Sequence, residues 1–86
     1  MNISVELTLS PLQDEFERPI IAFIKKLRAS GFTVLENPLS TQVYGPYDEL
    51  MALLNSAIKE AFIDLENVVL YMKLVKSDRS DYEPHF

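Results

Sequence analysis

The chain has 86 residues, 48% of them hydrophobic, with 13 acids against 8 bases for a net charge of −5, and no cysteine. A single globular domain of this size buries only about 60–65% of the surface its unfolded form exposes, so a thin core and self-association are expected. The missing cysteine excludes a disulfide scaffold, thiolate metal centres and a cysteine nucleophile. The acidic balance offers no footprint to a nucleic-acid backbone. No stretch approaches the ~20 apolar residues that cross a bilayer, and the absence of a basic segment leading into an apolar run near Met1 gives a cytoplasmic expectation.

In chain order, Ile3, Val5, Leu7 and Leu9 alternate with Ser4, Glu6 and Thr8, which predicts a strand over Ile3–Leu9 broken by Ser10 and Pro11. Phe16, Ile20, Phe23, Ile24 and Leu27 have the three-and-four spacing of an amphipathic helix that begins near Pro19 and closes at Gly31. Phe32–Glu36 and Ser40–Tyr44 read as a hairpin joined across Asn37 and Pro38.

Gly45 and Pro46 then end a strand and open a helix to about Leu65, with Asp48 and Glu49 in its first turn. Its stripe is Leu50, Leu53, Leu54, Ala57, Ile58, Ala61 and Phe62, and Val68–Val75 follows as the last strand. The order βαββαβ predicts an α+β, ferredoxin-like domain: a four-stranded antiparallel sheet with both helices on one face. Residues 1–76 form that domain, and 77–86 are expected to be an acidic C-terminal tail.

With the first strand between the third and fourth, the helices should cover Val5, Leu7, Val43, Leu70, Met72 and Leu74. Ser4, Glu6, Thr8, Ser40, Gln42, Tyr44, Tyr71 and Lys73 then share the open face. There a carboxylate, an amide, a phenol and an amine converge. Such a face suits a small-molecule pocket, a solvated surface, a sheet-to-sheet dimer interface or a Glu6–Lys73 ion pair.

The segments Ile3–Leu12 and Leu39–Leu50, which carry an ISVELTL strand and an STQ strand at Ser40, Thr41 and Gln42, resemble the YkoF-like thiamine-binding family. Leu39 stands where that pattern commonly has methionine, Ser10 where an aromatic residue often precedes the proline, and the tandem second domain of larger members is missing. The resemblance implies a non-enzymatic domain that binds thiamine or its hydroxymethylpyrimidine moiety, for sequestration, transport or salvage. It also implies a homodimer or homotetramer, here through the open sheet face. Ser40, Thr41 and Gln42 would orient the aminopyrimidine, Glu6 or Asp48 would favour the thiazolium cation, Tyr44 or Tyr47 would supply cation–π contact, and Thr8 would border them. The alternative is a homo-oligomeric interaction or regulatory module with no small-molecule ligand.

Other chemistries lack their parts. There is no GxSxG elbow, and with Gly31 and Gly45 the only glycines, no phosphate-cradling loop can be built. His85 and the acids Asp78, Asp81 and Glu83 match no metal-ligand spacing, and neither a metal nor a cofactor is expected. A hydrolase using Glu6 as base is the most distant reading.

Overall fold

The computed structural model describes residues 1–85. It contains β1 (Asn2–Pro11), α1 (Glu17–Arg28), β2 (Thr33–Glu36), β3 (Thr41–Pro46), α2 (Tyr47–Asp64) and β4 (Val68–Val75). The strands form one antiparallel sheet in the order β2-β3-β1-β4, the ferredoxin-like arrangement that the element order predicts.

Alternation in β1 supplies the centre of the core: Ile3, Val5, Leu7 and Leu9 are all buried, together with Val43, Phe23, Leu27, Leu50, Leu54 and Ala57. β1 outlasts its predicted end, because Ser10 and Pro11 continue it opposite Val69 and Val68. The Leu12 N–H donates to the Asn67 carbonyl, so even-numbered residues of β1 turn their backbone polar groups towards β4 and odd-numbered ones towards β3. The β3 ladder stops at Leu7 opposite Thr41. The N–H that Pro11 lacks would point to that unpaired side, so the proline costs no ladder bond.

In α1, Pro19 lies in the first turn, where its missing N–H has no helical partner to lose. Phe23 and Leu27 are buried, but Phe16 precedes the helix and is half exposed, so it is not part of the buried stripe as its spacing suggested. The chain leaves the helix through Gly31 at φ +88°, a left-handed conformation in which a side chain is strained. Arg28 in the last turn meets Glu36 of β2 through Nε–Oε1 at 2.6 Å and Nη2–Oε2 at 2.5 Å. That bidentate hydrogen bonding raises the guanidinium pKa and lowers the carboxyl pKa from their ordinary values.

Pro46 is the last residue of β3 and the N-cap of α2, with extended backbone, one position earlier than a first helical residue. Leu50, Leu54 and Ala57 of α2 are buried, and Leu53, Ile58 and Ala61 pack against the core. Phe62, which the spacing placed on the same stripe, is 47% exposed and not part of the buried face.

β4 departs most from expectation. Leu74 and Met72 stand opposite Val5 and Leu7 and so on the helix side, yet they are 48% and 42% exposed. The reason is lateral position. α1 packs on β1 and β2 and α2 on β3, so the helix layer stops short of the edge strand.

Gly45 shows a second use of glycine, because a methyl group there would lie 2.6 Å from Cδ1 of the Phe32 ring. Replacing Gly45 with alanine should lower unfolding free energy by about 1–3 kcal/mol through displacement of that ring, measured by urea denaturation. An unchanged midpoint would mean that Phe32 has room to swing away.

Candidate functional site

The open face of the sheet is built by the even-numbered residues of β1 and their cross-strand partners. Glu6 lies between Gln42 on β3 and Lys73 on β4; Ser4 lies between Tyr44 and Val75; Thr8 faces Tyr71. The loop from Asn37 to Ser40 is shaped by the Asn37 carboxamide, whose Oδ1 accepts from the Leu39 and Ser40 N–H groups at 2.8 and 3.0 Å. That turn sets Ser40 over the face. Its hydroxyl donates to Glu6 Oε2 at 3.0 Å and accepts from Gln42 Nε2 at 2.6 Å. A carboxylate, a hydroxyl and an amide are thus chained into one polar unit.

Glu6 is engaged by Ser40 and not by Lys73, which stands beside it in register; no ion pair joins the two among the described residues. Thr8 donates to the Leu39 carbonyl at 3.2 Å and ties the loop to β1.

The hydroxyl-amide triplet divides. Thr41 pairs with Leu7, faces the helices and is 7% exposed. It lines a different, helix-side cleft of about 240 Å3 with Ile20, Phe23, Ile24 and Leu39. Period-two alternation within β3 makes this division unavoidable, since Thr41 and Gln42 are adjacent. Asp48 sits in the first turn of α2 and lines neither cleft.

A cleft of about 360 Å3 opens beside the polar unit, lined by Ser4, Glu6, Gln42, Tyr44, Lys73 and Arg79. Its far wall is the start of the tail, a feature not evident in the sequence. Ser4 is 7% exposed; its hydroxyl donates to the Ser77 carbonyl at 2.6 Å and accepts from the Arg79 N–H at 2.9 Å. Arg79 Nε donates to Ser77 Oγ at 2.8 Å, so the guanidinium is also held. Asp78 accepts from the Ser80 N–H at 2.9 Å, and hydrogen bonds from the Ser80 hydroxyl and amide lower its carboxyl pKa. Ser4 lies opposite Val75, the residue that delivers the chain into this turn.

The face therefore presents a hydrogen-bonding array with an acid on one side and two bases on the other, flanked by a phenol. Among the described residues no group of three or more His, Asp or Glu side chains is placed to hold a metal ion. Nor is any helix long and apolar enough to cross a membrane.

Residues 5–86 match the model of a family described as thiamine-binding protein, and the chain belongs to that family. No curated protein sequence matches it significantly. Among solved structures, a Streptococcus pneumoniae protein is 28% identical, with a TM-score of 0.84 over 91% of this chain and 89% of that one. A candidate thiamine biosynthesis/salvage protein from Thermotoga maritima is 18% identical, with a TM-score of 0.81 over 90% of this chain and 85% of its own. A Bacillus cereus domain of unknown function is 17% identical, with a TM-score of 0.75 over 91% and 78%. The two less identical structures show the shared fold.

The Ser4 clamp predicts a local effect. In a Ser4→Ala variant the Arg79 amide loses its acceptor, and its hydrogen exchange should accelerate while the amides of β1 and β3 keep their protection. Unchanged exchange at Arg79 would show that other contacts hold the turn.

Proposed function

We propose, with membership of the thiamine-binding protein family as the premise, that this chain is a non-enzymatic, cytoplasmic binding protein for thiamine or its hydroxymethylpyrimidine moiety. Its role is sequestration, transport or salvage. The observation that carries the reading is the Glu6–Ser40–Gln42 hydrogen-bonded unit on a solvent-open sheet face beside Tyr44. An aminopyrimidine has an exocyclic amine to donate to the Glu6 carboxylate and ring nitrogens to accept from the Gln42 amide. The thiazolium carries a permanent cation that the Tyr44 ring stabilises by about 0.5–2 kcal/mol.

The remaining candidate residues act less directly. Thr8 ties the hairpin loop that positions Ser40 through the Leu39 carbonyl, and Thr41 lies buried on the helix side. Asp48, away from the cleft, contributes only to the acidic field.

The second reading, a homodimer or homotetramer without a ligand, is favoured by apolar exposure on the same face: Tyr71 is 64% exposed and Leu35 45%. Self-association through that face is compatible with binding where the partner closes the cleft rather than fills it.

Isothermal titration with thiamine and with hydroxymethylpyrimidine tests the proposal, alongside sedimentation analysis of the same samples. Saturable binding is expected, weakened roughly tenfold by Gln42→Ala or Glu6→Gln, the worth of one good hydrogen bond to a ligand. Thr41→Ala should act chiefly on stability. A folded oligomer that binds neither compound would leave the assembly reading standing and remove the binding one.

A further inference from the structure

The charges around the open-face cleft are arranged as two poles. Glu6, tied to Ser40 and Gln42, forms the acidic pole on the β1 and β3 side. Lys73, the cross-strand neighbour of Glu6 on β4, and Arg79 beyond the end of that strand form a basic pole beside it. A ligand whose only charge is a cation brings that charge towards Lys73 and Arg79.

We infer that this cleft takes its ligand as a phosphate monoester, with the phosphate received by Lys73 and Arg79; the inference rests on the thiamine-binding reading above. A phosphate monoester carries about −1.5 to −2 charge at neutral pH. It places an anion at one end of the ligand for Lys73 and Arg79, while the aminopyrimidine at the other end meets Glu6.

Three features make the basic pole a receptor rather than a pair of loose surface chains. Arg79 is placed by its own backbone, whose N–H donates to the nearly buried Ser4 hydroxyl, and its Nε is occupied by Ser77 Oγ. Both Nη groups remain for an anion, in the planar fork geometry that suits phosphate oxygens. Lys73 rises from a strand and is directed to the same cleft.

The nearest acids keep their charge but are hydrogen-bonded to neutral groups. Glu6 accepts from Ser40, Asp78 accepts from the Ser80 N–H, and the segment from Asn67 to Ser77 contains no Asp or Glu. Among the described residues neither Lys73 nor Arg79 makes an ion pair, in a chain that carries 13 acids. The cleft, at about 360 Å3, falls within the ~300–1,000 Å3 typical of small-ligand sites.

The test is calorimetric titration of the full chain with thiamine and with thiamine monophosphate, repeated on Lys73→Ala, Arg79→Ala and Arg79→Lys. Thiamine monophosphate should bind at least about tenfold tighter than thiamine, and each alanine variant should close most of that gap. Arg79→Lys should restore only part of it, because a point charge replaces the fork. The preference should shrink when sodium chloride is raised from about 50 mM to 500 mM, as screening shortens the reach of both bases.

Thiamine binding with no preference for the phosphate overturns this inference and leaves the family reading intact. A preference that both alanine variants retain also overturns it, by placing the phosphate elsewhere. Failure of both ligands to bind the wild-type protein overturns the underlying reading and this inference with it.

Discussion

The central position of β1 is the constraint on which the molecule depends. It is paired with β3 on one side and β4 on the other, and its odd-numbered residues Ile3, Val5, Leu7 and Leu9 are each no more than 7% exposed. Burying a side chain of this kind is worth about 1.5–3 kcal/mol, so sliding the strand by one residue would exchange that stabilisation for buried Ser4, Glu6 and Thr8. Core burial therefore dictates that Glu6 faces the open side between Gln42 and Lys73. The site is held in place by the hydrophobic core on the opposite face of the same strand.

Much of this was legible because it follows from local periodicity. The alternation in Ile3–Leu9, the amphipathic spacing from Ile20 to Leu27 and the mostly apolar run at Val68–Val75 each carry their own signal, and together they yield the element order. Lateral coverage carries no such signal. Met72 and Leu74 have the same apolar character as Val5 and Leu7, and only their place at the sheet edge, beyond the helices, leaves them exposed.

The candidate site was half legible for related reasons. Ser40, Thr41 and Gln42 are contiguous, so a short motif suggests one cluster, whereas a strand sends Thr41 to the helices and Gln42 to the open face. The Ser4–Ser77–Arg79 clamp joins the two ends of the chain, and no local pattern reports a contact across that separation. Pro11 is the converse case. A residue that normally ends a strand is tolerated because the neighbouring ladder has already stopped.

The two clefts give the account its sharpest discrimination, since the open-face cleft holds Glu6, Gln42 and Tyr44 while the helix-side cleft holds Thr41 with an apolar wall. The direct measurement is amide NMR of the isotopically labelled protein during titration with thiamine. The account predicts the largest shifts at Glu6, Gln42, Tyr44 and Lys73, with Ile20, Phe23 and Ile24 of α1 nearly still. Shifts centred on Ile20, Phe23, Leu39 and Thr41 would contradict it and place the ligand beneath the hairpin loop.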